Sequence, residues 1–577
     1  MSFRKLVSVV LHKQGAKWGH MIVGAEEFRS RFFALWRYFP PRIGIAVSGG
    51  VDSMALAHLT KTLASEERMA VHCFIVDHGA RPGSAREAAK VAAILESYRF
   101  HAHVLKLQWP EGLPSSAFET KARIARYRAI AEKCVQHDIR HVLLGHHSDD
   151  LAETVLMRMI QSSRAEGLRG MKKISRIPEC QGIYGAEEIQ LGRPLLAISK
   201  IRLKRTCREE SVQWFEDPTN NDPSFTLRNS IRTLLFSRST RKSLPLALQK
   251  PQLISLVDRL TDTERFTTLK AEKIIAASSV SLEVRTGTLT FKLPVPNDAT
   301  LDYFQTSTDA RIMLKALTLL TEKVTPNEKI NRRTMLGVLA KIFNGSKAPA
   351  MFSAGGLTWS RDPNGLFTLR RSPHFTRTRL AATLDIPVST KSWTKWILWD
   401  GRYWIRLRSN VESVEGVIIR PLAPIDMAQL RDRLEQLGWE GKVVVAHLKA
   451  LEGNHLWTVP VIALRPPERG ELGGARGPAD GRREGEREDE KEDGEEGVER
   501  KDGEEGDKKE RNKDEKHEDV GPRGQGYRHS DGVDRRWRER SLVGLPTFGT
   551  HLMNRVGMAR PERKPVVDWE ISFRRPI

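Results

Sequence analysis

The sequence predicts an α/β protein with a doubly wound parallel sheet, a helical middle region and a mixed C-terminal domain. Short apolar runs alternate with amphipathic stretches from Ile43 to about Gln161. Strands alternating with helices imply a parallel sheet covered on both faces. Polar motifs cluster at the ends of those apolar runs, where open α/β sheets bind ligands. After about residue 236 this alternation stops.

In chain order, the strand candidates are Ile43–Val47, Ala70–Val76, Ala102–Leu107 and His141–Gly145. Helical stretches lie between them, such as Ser84–Tyr98 and Ser116–Gln136. The expected catalytic domain spans 41–235, behind a basic extension over 1–40. Residues 236–345 read as a mainly helical region, and 346–465 as mixed α/β. In Trp396–Leu407, Asp400-Gly401 stands between aromatic and β-branched residues, a hairpin signal. Residues 466–540 collapse to Gly, Glu, Lys, Arg and Asp, a composition that cannot bury enough apolar surface to fold. The apolar pattern resumes in a C-terminal segment, 541–577, where Val566–Phe573 is expected to add a strand.

At 577 residues the chain is too long for one core, so two or three domains are expected. A formal net charge of +22 favours a polyanionic partner, because lysines and arginines release phosphate counterions on binding. The four cysteines, Cys73, Cys134, Cys180 and Cys207, form no C-x-x-C pair. That argues against a zinc ribbon or thioredoxin-like motif and fits a reducing compartment. No apolar run is long enough to span a membrane, so a soluble protein is expected. Arg4, Lys5, Lys13 and Lys17 precede the first acidic residue, Glu26. This suits a mitochondrial transit peptide and equally an ordinary basic N-terminus of a cytoplasmic protein.

The strongest motif is Ser48-Gly49-Gly50-Val51-Asp52-Ser53, between an apolar strand and a helical run. The glycines let backbone approach an anion, and the helix start aims free N–H groups at it. Ser48 and Ser53 add hydroxyls, and Asp52 is a candidate magnesium ligand. No Gly-Lys-Ser/Thr follows, so this is not a Walker A loop. At the next strand end stands Asp77-His78-Gly79-Ala80-Arg81. Asp77 is placed to accept from adenine or ribose, and Arg81 to meet phosphate. Glu119, Arg123 and Tyr127 share one helix face with Arg126 beside them, which also suits a solvated salt-bridged face. The fourth strand ends in Gly145-His146-His147-Ser148-Asp149-Asp150-Leu151-Ala152-Glu153-Thr154. His146, Asp150 and Glu153 converge at a helix start, able to bind magnesium, orient a nucleophile or take its proton. A zinc site is the rival reading, lacking a suitably spaced cysteine or third histidine.

The first motif resembles the SGGxDS loop of PP-loop ATP pyrophosphatases, which belong with the adenine-nucleotide alpha-hydrolase-like folds. In this order the motifs resemble those of the tRNA(Ile)-lysidine synthases. Gly167–Met171, Arg193–Leu196, Trp214–Asp222 and Arg228-Asn229-Ser230-Ile231-Arg232 narrow the match, which covers roughly residues 40–235. Leu151 stands where the family has Gln, Ala80 where it has Leu, and Ser163-Arg164-Ala165-Glu166 where R-G-S-G is usual. The resemblance implies a carbon–nitrogen ligase. ATP adenylates the wobble cytidine of an isoleucine tRNA, and free lysine then displaces AMP. Carried over, Ser48, Gly49, Gly50, Val51, Asp52 and Ser53 would bind ATP with magnesium. Asp52, Arg126, His146, Asp150 and Glu153 would line the reaction site. Arg228, Arg232, Arg238 and Arg241 are candidate tRNA phosphate contacts. A homodimer is compatible with this reading. The alternatives are a PP-loop tRNA 2-thiolation enzyme, which would normally need paired cysteines, and a degenerate tRNA-binding module.

Overall fold

The computed structural model describes residues 21–79, 82–109, 112, 118–162, 167–216, 227–237, 240, 243–304, 306–345, 350–374, 380–451, 453–465, 542–551 and 565–574. Arg81, Asp217–Asp222, Arg238, Arg241, the first part of the basic extension and the charged tract 466–540 lie outside the described residues.

The chain begins with α1 (Ala25–Trp36) and β1 (Arg42–Val47), then α2 (Val51–Glu66), β2 (Ala70–Asp77), α3 (Ser84–Ser97) and β3 (His101–Lys106). Next come α4 (Phe118–Gln136), β4 (His141–Leu144), α5 (Ser148–Ile160), β5 (Ile174–Arg176), β6 (Gln190–Gly192), α6 (Lys200–Glu209) and α7 (Leu227–Phe236). One sheet runs in the order β3-β2-β1-β4-β6-β5. All its pairings are parallel except β5 with β6. The central strands are apolar on both faces because helices cover both; Ile43, Ile45, Val142 and Leu143 have no solvent exposure. From β1 the chain continues to β2 on one side and later places β4 on the other. The crevice between the carboxyl ends of β1 and β4 is therefore the topological switch point, where such sheets bind ligands.

The expected start of the catalytic domain at 41 is corrected to include α1. Phe28, Phe32 and Trp36 recur at four-residue spacing and enter the sheet's core. Arg202 of α6 ties the segment down, donating to the carbonyls of Met21 and Ile22 and to Glu27. An extension expected over 1–40 thus gives way to packed structure from Met21 onward.

The long helix α8 (Lys250–Ala276) leads to the hairpin β7 (Ser281–Glu283) and β8 (Thr288–Lys292), then α9 (Ser307–Val324) and α10 (Arg332–Ile342). The strands β9 (Met351–Ala354), β10 (Leu357–Arg361) and β11 (Leu366–Arg371) follow. They join the hairpin in a sheet ordered β7-β8-β11-β10-β9. Leu289, Leu317, Leu339, Trp359 and Leu369 share one core. The division expected at 345 therefore cuts through a single sheet and core, because the hairpin needs β11 beside it to bury its apolar face.

The remaining elements are β12 (Leu384–Pro387), β13 (Ile397–Trp399), β14 (Tyr403–Ser409), β15 (Gly416–Pro421), α11 (Met427–Gln436), α12 (Trp439–Lys449) and β16 (Pro460–Leu464). Past the charged tract come β17 (Leu542–Leu545), β18 (Thr550–His551) and β19 (Val567–Phe573). β13 and β14 form the expected hairpin; Asp400 and Gly401 have φ of 46° and 64°, the left-handed pair that tight hairpin turns require. β19 pairs with β14, and β17 pairs antiparallel with β16. The charged tract thus joins two neighbouring strands of one sheet, a position that leaves their pairing intact. Among the described residues no helix is long and apolar enough to cross a membrane.

Candidate active site

The phosphate loop is shaped from within. The backbone N–H of Ser48 donates to Ser53 Oγ at 3.2 Å, and that hydroxyl donates to the Gly50 carbonyl at 2.9 Å. Gly49 has φ +82°, and a Cβ there would lie 2.9 Å from Val91 Cγ2. Glycine is thus required both by conformation and by the close approach of α3. Gly50 caps α2 without a side chain, leaving the helix start open toward the crevice.

The loop after β4 packs directly on this one. A Cβ on Gly145 would lie 3.1 Å from the backbone of Asp52 and Ser53. His147, 1% exposed, caps α5. Its Nδ1 accepts from the N–H groups of Asp149 and Asp150 at 3.2 and 3.3 Å. The neutral ring must then carry its proton on Nε2, which lies 3.4 Å from Oδ2 of Asp52 and 3.4 Å from Oδ2 of Asp150. One imidazole therefore links the phosphate-loop carboxylate to the carboxylate of the second motif. Burial disfavours the imidazolium, but the bond to Asp52 and the charges of Asp150, Asp52 and Asp149 outweigh it and raise the His147 pKa. Burial would likewise raise Asp52, but the His147 hydrogen bond and the charges of His147 and Lys200 hold it below its usual value. Lys200 Nζ lies 3.4 Å from Asp52 Oδ2. Asp52 Oδ1 is buried with no hydrogen-bond partner. A bare carboxylate oxygen beside a phosphate loop fits a hard cation. Among the described residues no group of three His, Cys, Asp or Glu side chains could hold a metal by itself. A cation there would need phosphate oxygens and water as its other ligands.

His146 accepts at Nδ1 from Arg193 Nε at 3.3 Å. Burial and the Arg193 charge push its pKa down to about 4. The ring is neutral near pH 7, with Nε2–H left as a donor. Arg126 lies over the Tyr127 ring at 5.4 Å, and its charge adds to the depression at His146 and at His78. Its neighbours on α4 are occupied otherwise: Tyr127 is buried and Arg123 reaches Glu179 at 3.3 Å. Glu153, 1% exposed, receives Arg232 Nε at 2.9 Å and Arg228 Nε at 3.3 Å. These two arginines, expected on tRNA phosphates, pair with Glu153 while about a third of each side chain stays exposed. Asp77 is buried at the end of β2, accepting from the Gly79 N–H at 2.9 Å. One of its oxygens is thus committed to shaping the turn. Burial would raise its pKa, but hydrogen bonds from Gly79 and Ser84 hold it lower.

Of the expected site residues, Ser48, Gly49, Gly50, Asp52, Ser53, His146, Asp150 and Glu153 lie on the two loops and helix starts that meet after β1 and β4; Val51 packs into the core, and Asp77 stands one strand away. The roles of His147, Arg193 and Lys200 were not legible from the sequence. Arg193 and Lys200 stand about 40 to 55 residues beyond the histidines, and only the sheet's order brings them there. Leu151, where a glutamine was usual, faces the core; a Cβ on Gly170 would lie 2.5 Å from it.

Residues 26–239 match the family model described as a PP-loop domain. That stretch is therefore a PP-loop domain. A curated relative from Schizosaccharomyces pombe, named probable tRNA(Ile)-lysidine synthase, is 29% identical over 437 residues, 73% of this chain and 88% of that one. tRNA(Ile)-lysidine synthases from a Bradyrhizobium species and Rhodopseudomonas palustris are 40% and 39% identical, over 33% and 37% of this chain. The chain spans 51% and 59% of their lengths, which confines those two matches to little more than half of each relative. The particular proteins this chain resembles are thus tRNA(Ile)-lysidine synthases.

Proposed function

We propose that this protein is an ATP-dependent carbon–nitrogen ligase that converts the wobble cytidine of an isoleucine tRNA to lysidine. The observation that carries the reading is the junction of the two loops, where His147 links Asp52 to Asp150. It puts a nucleotide phosphate site and a proton-accepting carboxylate within one crevice.

In the first step the cytidine 2-carbonyl oxygen attacks the α-phosphorus of ATP. The new O–P bond replaces the bond to the β-phosphate, and pyrophosphate leaves with the electron pair. Amides at the start of α2 and the Ser48 hydroxyl hold the phosphates, while Ser53 holds the loop in shape through the Gly50 carbonyl. The neutral His146 Nε2–H and the Arg126 guanidinium face the transferring group. Asp52 Oδ1 would hold magnesium, which neutralises phosphate charge when bound. In the second step the lysine ε-amine, having lost a proton, attacks C2, and AMP leaves with the electrons of the C–O bond. Asp150 is the better base of the two acidic candidates, because Glu153 is neutralised by Arg228 and Arg232. Glu153 is then a positioning residue for those arginines.

All four cysteines are buried free thiols, and burial pushes Cys180 and Cys207 up to about 12. Such thiols suit packing rather than sulfur transfer. The acid-poor segment ahead of Glu26 supports a mitochondrial location; a reporter carrying residues 1–20 that stays in the cytosol would remove that support. The decisive experiment incubates purified protein with isoleucine tRNA, ATP and lysine, and reads the tRNA by mass spectrometry. Lysine-dependent addition at the wobble cytidine with release of AMP is expected. Product formation without lysine would sink the reading.

A further inference from the structure

The phosphate loop carries no cation of its own: Ser48–Ser53 holds one carboxylate and no basic residue. A polyphosphate in that loop meets helix amides but also the negative charge of Asp52. Lys200 is the first residue of α6, with its Nζ 3.4 Å from Asp52 Oδ2 and a third of its side chain exposed. Its own helix does not ask for it, because a cation in a helix's first turn opposes the macrodipole. The surrounding structure holds it there. Its N–H donates to Asp149 Oδ2 at 3.3 Å, and the Ser148 N–H donates to the Ile198 carbonyl at 2.9 Å. Arg202, two residues along, anchors α6 to Glu27. The other cations at the second motif are engaged there: Lys250 with Asp149, Arg228 and Arg232 with Glu153, and Arg193 with His146. Lys200 differs in facing the phosphate loop.

We propose that Lys200 is the phosphate-binding cation of this site, exchanging the Asp52 carboxylate for the β- and γ-phosphate oxygens of ATP and neutralising pyrophosphate as it leaves. The proposal deepens the ligase reading and rests on ATP binding at this loop. An ammonium on a flexible four-carbon stem can make that exchange while α6 stays fixed. When pyrophosphate departs, the lysine returns to Asp52, so the carboxylate is compensated in both states. A lysine from a separate helix thereby supplies the charge that a Gly-Lys-Ser/Thr loop carries within itself.

The test measures binding of ATP, inorganic pyrophosphate and AMP to the full-length protein and to Lys200→Met and Lys200→Arg. In Lys200→Met, affinity for ATP and pyrophosphate is expected to fall about 10- to 100-fold, the loss of a charge-assisted contact, with AMP affinity changed less than about 2-fold. Lys200→Arg is expected to recover part of the loss. Equal weakening of AMP and ATP would assign Lys200 a structural role and overturn the proposal, as would unchanged pyrophosphate affinity. A parent protein that binds no ATP overturns the ligase reading with it, whereas failure of the variants alone removes only the lysine.

Discussion

Arg232 grips Glu153 through both carboxylate oxygens, at 2.9 and 3.2 Å, while the carboxylate is almost wholly withdrawn from water. A buried carboxylate with two guanidinium partners is costly to break from one side, because the remaining charges keep their desolvation cost. Glu153→Ala is expected to lower unfolding free energy by about 2–4 kcal/mol, and Arg232→Ala by a similar amount. In a double-mutant cycle the pair is expected to couple by at least about 1 kcal/mol. Urea denaturation checks both. A tRNA contact on the surface would instead leave stability alone and change only the salt dependence of tRNA binding.

His147 does two separable things: it caps α5 through Nδ1 and donates toward Asp52 through Nε2. Asparagine is a good helix cap but lacks the second reach. His147→Asn is therefore expected to fold with nearly parental stability and to lose about 10-fold or more in kcat/KM for adenylation. The sign of its pH effect follows from Asp52. That carboxyl is held low by His147 and Lys200, so it stays ionised as pH falls. Without the donor its pKa rises, and the acid limb of the pH–rate profile is expected to move to higher pH. An unmoved limb would mean that His147 does not govern Asp52.

Gly145 is the point of contact between the two loops. A methyl group there meets backbone of Asp52 and Ser53 at 3.1 Å, and backbone cannot turn aside as a side chain can. Gly145→Ala is expected to cost about 1–2 kcal/mol of stability and to weaken ATP binding by about 10-fold or more, since a small displacement spoils a positioned site. Isothermal titration with ATP separates this from Gly182→Ala, whose added Cβ has nothing within 4 Å and whose strain, from a φ of +86°, lies away from the two loops.

At the opposite end of the sheet, His72 Nδ1 lies 3.1 Å from His103 Nε2, and the rings of His101 and His137 lie within about 5 Å. Burial, then the charges of His101, His103 and His137, push His72 down to about 4. Burial, His137, Lys133 and His101 lower His103 too. Between that value and the ordinary one near 6.5 the unfolded chain binds protons that the folded chain refuses. The stability contributed is therefore full above about pH 6.5 and lost as pH falls toward 4. His72→Phe keeps a stacked ring without the titration. Its melting temperature is expected to fall less than the parent's between about pH 7.5 and pH 5. Parallel falls would exclude the cluster as the cause.

The catalytic half of this architecture was readable because its signals are local. Strand ends could be placed from Ile43–Val47 and His141–Gly145, and the phosphate loop from six contiguous residues. The site's cations were not readable in the same way. Lys200 and Arg193 look like ordinary basic residues until β6 and α6 are set beside β4 and α2. Before residue 41 the basic composition masks a packed helix, whose buried face is carried by Phe28, Phe32 and Trp36. The boundary at 345 failed for a different reason: a short hairpin within helical sequence belongs to a sheet whose other strands come some 60 residues later. Pairing across such a distance leaves no periodic trace at either end.

The hairpin turn of the C-terminal region offers the sharpest test of a buried charge. Asp400 is left-handed at φ 46° and accepts from Arg371 Nε at 3.0 Å and Arg402 at 2.8 Å. Arg402 is 2% exposed, and its other donors reach the carbonyls of Thr286 and Thr458. The turn thereby joins the hairpin to segments 110 residues earlier and 60 later in round terms. Burial would raise the Asp400 carboxyl, but the Arg402 and Arg371 charges hold it low. Asparagine tolerates the same left-handed backbone, so Asp400→Asn removes charge without straining the turn. Two buried guanidiniums are then left without their counter-ion, and a loss of about 2–4 kcal/mol is expected. Asp385, more than half exposed and paired with Arg465, is the control: Asp385→Asn is expected to cost under about 0.5 kcal/mol. Denaturant unfolding followed by tryptophan fluorescence reports the difference, because Trp399 is fully buried immediately before the turn. If the two substitutions cost the same, the Asp400 network is no more than a surface ion pair in energetic terms. The C-terminal sheets must then be held on the rest of the chain by their other contacts, such as Trp404 Nε1 on Glu187 at 3.0 Å and Tyr403 OH on the Val284 carbonyl at 3.1 Å.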